Sequence, residues 1–282
     1  MILKYSPNRG RESMTAIVEA NPDTAPLHYV GASVYQLKSG DRWTVRNDSL
    51  HEGALVLLTG QGVVSGDRLA KTMLVSRSSV FDDAPPYVVY VGSGEGLVFH
   101  AETACELVWA TALLNEPFLI PTTVYKPDDM NREERGEGVT RREVRHLLDS
   151  AGQAVRLQVV EVLTPGGHWS SFPPHKHDRE VPNVESFLEE LYYYHLTPES
   201  WWAFQRIYDD NGWGETLDVH DGDLVVVPRG YHPVAVPPGG AAYYLNVMAG
   251  PTRNWHVTVD PTFRQVGRLV ASTEGGQKSS AK

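Results

Sequence analysis

The chain has 282 residues, 41% of them apolar and 10% aromatic, which is enough for one or two sizeable globular cores. Its 35 acidic against 25 basic side chains give a formal charge of -10, which argues against a nucleic-acid partner and against an anionic membrane surface. No apolar run approaches the ~20 residues of a membrane span, the first seven residues carry no signal-like apolar region, and the single cysteine, Cys105, excludes an intrachain disulfide, so the expected compartment is the cytoplasm.

Residues 1–30 carry scattered Pro, Gly, Asn and Asp and read as an irregular arm leading into a first strand near His28–Val30. From there to about Asn115 short apolar segments alternate with turn signals, among them 33–37, 43–45, 54–58, 87–91, 96–99 and 106–110. Many short strands at such intervals predict an all-β barrel or sandwich. Cys105 opens one of these strands and reads as a buried thiol, the usual fate of a free cysteine.

The character changes between Glu116 and Gln153. Pro117, Pro121 and Pro127 interrupt the first part, and Met130–Gly138 is charged and punctuated by glycine, so 116–153 is expected to be a linker. Arg141, Arg142, Arg145 and His146 cluster in it. The plain reading is a solvated face, and the functional one an anion site for an acidic ligand.

The second half, 154–267, holds three histidines and a glutamate at spacings that suit one metal ion. In Pro173-Pro174-His175-Lys176-His177-Asp178 the two histidines stand at i and i+2, on the same face of an extended segment, with Lys176 opposite. Glu190 follows in Glu189-Glu190-Leu191-Tyr192-Tyr193-Tyr194, whose aromatic content predicts a strand with Glu190, Tyr192 and Tyr194 on one face. The third histidine, His232, ends a turn, a short apolar strand and a second turn, from Asp221 to Pro233, with Arg229 and Tyr231 beside it. An arginine there could pair with a carboxylate, although turn arginines usually face solvent. Asn246 is a polar residue in the apolar run 243–248 and, if buried, needs hydrogen-bond partners, either a ligand hydroxyl or backbone. Residues 268–282 are small and polar and are expected to be a disordered tail.

A weak repeat relates the halves. Tyr90–Gly96 can be laid over Val226–His232, which puts Gly94 at the turn of Gly230 and Gly96 where His232 stands. With no His-x-His in residues 1–115 either, the first unit is expected to have the fold without the metal.

His-x-His, a strand-borne Glu, then Gly-Asp, an apolar strand and Pro-x-Gly-x-His resemble, in that order, the two motifs of the cupin superfamily. One departure is that twelve residues, 178–189, separate His177 from Glu190, more than is usual, and read as an inserted charged loop. Thr164-Pro165-Gly166-Gly167, Trp169-Ser170-Ser171, Pro228–Val234 and Tyr243–Pro251 make the chain similar to the 5-deoxy-glucuronate isomerase family of myo-inositol catabolism. The resemblance implies two tandem double-stranded β-helix (cupin) barrels, a bicupin, with His175, His177, Glu190 and His232 as ligands to one divalent metal. Zn is the first choice for that ion, and Mn, Fe or Ni also suit the ligand types. It implies an intramolecular aldose-ketose isomerase converting 5-deoxy-D-glucuronate to 2-deoxy-5-keto-D-gluconate, with a small sugar acid as partner and a homo-oligomer allowed. Tyr192, Tyr194, Arg229, Tyr231 and Asn246 are the further candidates for catalysis or substrate binding. The rival readings are the related uronate ketol-isomerase of pectin catabolism, an iron-dependent cupin dioxygenase and a metal-free sugar-binding cupin.

Overall fold

The computed structural model describes residues 3–148 and 153–264, almost all of them in short antiparallel strands and turns, so the expected tail at 268–282 lies outside the described residues. The fold is all-β, two barrels in tandem. In the first, the strands run in the order Thr123–Tyr125, Val88–Val91, His51–Gly66, Cys105–Leu113, Val30–Leu37, Ala16–Ala20. The long strand His51–Gly66 closes the barrel by turning a corner: its first part pairs with Cys105–Leu113, its second with Met73–Arg77 and Gly96–Ala101. Gly60 makes the corner at φ +100°, where a Cβ would lie 2.4 Å from the Ala104 carbonyl oxygen. Trp43, Leu55, Leu57, Val64, Phe99, Leu107 and Trp109 fill this barrel's interior.

The second barrel packs a seven-stranded sheet against a four-stranded one. The large sheet runs Lys4–Tyr5, Leu224–Val227, Glu189–Thr197, Ala241–Ala249, Gln158–Pro165, Arg142–Leu148, Asn131–Arg135. The small one runs Trp169–Ser170, Val234–Ala235, Trp202–Tyr208, Gly214–His220. The strand Glu189–Thr197 buries both faces. Its even residues Tyr192 and Tyr194 join Ile207, Val219, Val225 and Tyr244 inside the barrel, while Leu191 and Tyr193 pack outward against Val34, Val56 and Val108 of the first barrel. Each such aliphatic side chain stabilises the back-to-back arrangement by ~1.5–3 kcal/mol.

The buried acidic side chains at this interface are met by cations or by backbone N–H groups, as burial requires. Arg77 of the first barrel and Arg145 of the second each lie 3.0 Å from Glu161. Glu52 accepts the backbone N–H groups of Val155, Arg156 and Leu157, and Glu189 those of His28 and Tyr29.

Three expectations are corrected. The arm is not irregular throughout: Ala16–Ala20 joins the first barrel, and Lys4–Tyr5 crosses over to pair with Leu224–Val225 in the second. The stretch 116–153 is not a plain linker, because Thr123–Tyr125 extends the first sheet, while Asn131–Arg135 and Arg142–Leu148 form a hairpin on the second. Asn131–Arg135 is a fully exposed edge strand, where charged side chains are the normal defence against further pairing, and that composition mimics a loop. The insertion 178–189 is itself a hairpin, Asp178–Val181 with Glu185–Phe187, turning at Asn183 with φ +60° and tied by Arg179 to Glu185 at 2.9 Å.

Candidate metal centre

Four segments deliver the site. His175 and Lys176 form a two-residue strand paired with Thr258–Val259, so His177 follows in extended chain and both histidines turn inward. Lys176, on the opposite face, is buried in an ion pair with Asp210 at 2.7 Å. Glu190 lies opposite Val227 and Met248 in the middle of the large sheet. His232 is placed by Gly230, whose φ of +90° and 2.5 Å approach of a would-be Cβ to the Tyr208 carbonyl leave room only for glycine. The Gly230 N–H donates to Asp178 (3.0 Å), which locks the His232 turn to the segment carrying His177.

The donor atoms of His177, Glu190 and His232 lie within 4.8 Å of one another, and all three residues are buried. His175 stands next to them, its ring 5.1 Å from that of His232 and 6.3 Å from that of His177. Each histidine donates its Nδ1–H to a backbone carbonyl: His175 to Pro173 (3.1 Å), His177 to Leu188 (2.8 Å) and His232 to Gly230 (2.8 Å). These bonds fix one tautomer in all three rings and leave the Nε2 lone pairs facing inward.

Those Nε2 atoms meet a carboxylate, to which His177 is hydrogen-bonded. His177 Nε2 is 3.2 Å and His232 Nε2 3.1 Å from the same Glu190 oxygen, and His232 Nε2 makes no hydrogen bond of acceptable geometry despite that distance. Burial would raise the Glu190 carboxyl, but His232 and His177 outweigh it and hold the group well below the usual carboxylate range. Burial, followed by His232 and His177, pushes His175 down to about 3, so it is a neutral ligand-type imidazole. Burial lowers the His177 imidazole, but its hydrogen bond to Glu190 and that carboxylate's charge outweigh this and raise it, so a proton is shared where three imidazole nitrogens and a carboxylate oxygen converge, the place a cation would take. The donor set therefore fits a divalent metal.

Beside this group is a cavity of about 190 Å³ lined by His175, Glu190, Tyr192, Asn246, Gln158, Arg142, His146, Ser171, Tyr244 and Trp255, among others. Tyr192 is hydrogen-bonded to Ser171 (3.1 Å), and Tyr244 reaches the same hydroxyl at 3.4 Å. Burial first, then the Glu190 charge, keep the Tyr192 phenol far above its ordinary value, so it stays protonated. Asn246 Nδ2 and Gln158 Nε2 are buried without a hydrogen-bond partner. Such orphaned donors in a cavity wall are available to a ligand's oxygens.

Three sequence candidates are not brought to the cavity. Tyr194 shares the face of Tyr192 but lies deeper in the core, its hydroxyl donating to Gln205 at 2.9 Å. Arg229 is mostly exposed and 4.0 Å from Asp209, because the residue two before Gly230-linked Tyr231 leaves the turn toward solvent. Tyr231 donates to Asp210 (3.0 Å) and supports Lys176 instead. The basic cluster divides by strand alternation: Arg142 and His146 line the cavity, while Arg145 faces the first barrel and Arg141 pairs with Glu134 outside. Gln158, Ser171, Tyr244 and Trp255 carried no spacing signal in the sequence.

A profile of the KduI/IolB family matches residues 3–266. The chain is 40% identical over 263 residues, 93% of each chain, to the 5-deoxy-glucuronate isomerase of Geobacillus thermodenitrificans. It superimposes on the crystal structure of an IolB-like protein from Salmonella typhimurium with a TM-score of 0.88 at 36% identity, covering 94% of this chain and 99% of that one. An oxalate decarboxylase of Lactobacillus farciminis shares the fold at a TM-score of 0.66 and 12% identity, over 99% of this chain and 94% of that one.

Proposed function

The chain belongs to the KduI/IolB family, and from that premise we propose that it is a metal-dependent 5-deoxy-glucuronate isomerase, converting 5-deoxy-D-glucuronate to 2-deoxy-5-keto-D-gluconate. The observation that carries the reading is the convergence of His177 Nε2, His232 Nε2 and Glu190 on one point beside a small cavity. At about 190 Å³ the cavity is below the ~300–1,000 Å³ of drug-sized pockets and on the scale of a six-carbon acid.

His177, Glu190 and His232 would hold the ion, with His175 as the neighbouring fourth ligand. A divalent metal bound there supplies Lewis acidity to a carbonyl oxygen, which acidifies the adjacent C–H, the bond an aldose-ketose conversion must break. The backbone carbonyls of Pro173, Leu188 and Gly230 keep the imidazoles in the metal-binding tautomer. Asn246 and Gln158 offer N–H donors to the substrate's hydroxyl oxygens, and Tyr192, kept protonated, can donate from the same wall. Burial of the ligands excludes bulk water, which strengthens each of these contacts. The buried free thiol of Cys105 suits a cytoplasmic setting, and among the described residues no helix is long and apolar enough to cross a membrane.

The test is proton NMR of purified, metal-loaded protein with 5-deoxy-glucuronate under anaerobic conditions. We expect loss of the aldehyde and hydrate C1 signals, appearance of the ketone product, and recovery of activity in stripped protein with more than one divalent metal. Preferential turnover of the pectin-derived uronate would reassign the substrate within the family. Consumption of oxygen in step with turnover would replace the isomerase by a dioxygenase.

A further inference from the structure

Arg142 is 6% exposed, yet among the described residues no carboxylate lies within ion-pair distance of its guanidinium. Its one hydrogen bond is from Nη1 to the Thr140 carbonyl, at 2.9 Å. The nearby carboxylate, Glu133, is taken by Arg135 and by His146, the latter at 3.0 Å. This contrasts with Arg77 and Arg145, also buried and both paired with Glu161. A buried guanidinium stays charged, and leaving it uncompensated is costly. What distinguishes Arg142 is that it lines the same cavity as Glu190 and His175.

Strand register explains how the two ends meet. Arg142, Val144 and His146 face inward on one strand, and the inward face continues through Val160 and Val162, Asn246 and Tyr244, to Tyr192 and Glu190. The cavity is therefore a trough with an anion-seeking group at one end and metal ligands at the other. The orphaned amide nitrogens of Asn246 and Gln158 lie along its wall.

We propose that Arg142 binds the carboxylate of the uronic acid, holding the open-chain sugar head to tail with its carboxylate on the guanidinium and its carbonyl end at His177, Glu190 and His232. This rests on the isomerase reading for the identity of the acid and on the geometry for the residue. Arginine suits the task, because its planar fork can hold both carboxylate oxygens, which a lysine cannot do.

The test compares 5-deoxy-glucuronate with 5-deoxyglucose, which carries CH2OH in place of the carboxylate, in wild type, Arg142→Gln, Arg142→Lys and the exposed neighbour Arg141→Gln. Binding of each probe is measured by calorimetry and turnover by NMR. We expect Arg142→Gln to weaken uronate binding and raise KM roughly ten- to hundredfold, with binding of the neutral sugar unchanged, so that the preference for the acid collapses. Arg142→Lys, which keeps the charge and guards against a folding defect in the glutamine variant, should lose several-fold in affinity but keep part of that preference, and Arg141→Gln should match wild type. Folded Arg142 variants that retain the full preference for the acid would overturn the assignment while leaving the isomerase reading intact. Wild type that binds the uronate through Arg142 without isomerising it would do the reverse.

Discussion

His195 lies where the two barrels meet and makes their association depend on pH. Its Nε2 is 2.7 Å from Glu106 of the first barrel and its Nδ1 2.8 Å from Asp221 of the second. Glu106 also accepts from Gln36 and Tyr193, and Asp221 from Arg9 and the Leu196 N–H. Burial disfavours charge on the imidazole, but the hydrogen bonds to Asp221 and Glu106 outweigh it and push it up to about 9. Relative to an ordinary value of 6.5, that is ~3 kcal/mol of preference for the protonated form in the folded protein. The folded protein thus binds this proton more tightly than the unfolded chain does, so the stabilisation is complete below about pH 6.5 and is lost as pH rises through about 9. The two carboxylates, held below their ordinary values, act in the opposite sense and lose their share only as pH falls through the acid range. Urea unfolding of wild type and His195→Gln at pH 6 and pH 10 isolates the effect, because lysines and tyrosines titrate in both proteins and cancel in the difference. The advantage of wild type should shrink by ~3 kcal/mol between the two pH values. An advantage that stays constant would show that His195 is neutral in the folded protein and that the bridge between Glu106 and Asp221 is not ionic.

Removing a ligand should separate activity from folding. His232→Ala and Glu190→Gln are each expected to lower turnover by more than ~100-fold and to release the metal, while cooperative unfolding survives with a lower midpoint because bound ion no longer stabilises the native state; near-normal metal content by elemental analysis would refute the ligand set. Elemental analysis of the wild type should find one tightly bound ion per chain, since Gly96 offers no donor at the position matching His232 and apolar side chains fill the first barrel; two ions per chain would contradict this.

Alternation made much of the site legible. Two residues per repeat put His175 with His177 and Glu190 with Tyr192 from sequence alone, because side chains of an extended segment must point to alternate faces. The same rule could not separate Tyr192 from Tyr194. It fixes the face but not the depth, and depth is decided by Gln205 on another strand, which takes the Tyr194 hydroxyl out of the cavity. Turn residues have no period at all, so neither Arg229 nor Tyr231 could be aimed from their neighbours, and both point away from the candidate ligand His232 that follows them in sequence. Arg142 could be named as one of a basic cluster but not singled out from it, for a different reason. Its strand pairs with one whose five residues are all exposed, four of them charged, and a charged edge looks like a loop unless its partner is known. Once 131–135 and 142–148 are a hairpin, the run Arg142, Val144, His146 against Glu143, Arg145, Leu147 becomes an alternating strand. One arginine then faces the cavity and the next pairs with Glu161 of the neighbouring strand, on the face turned toward the first barrel. The two arginines are three residues apart and both buried. What separates their roles is that the fold supplies Arg145 with a carboxylate and leaves that of Arg142 to be brought by the ligand.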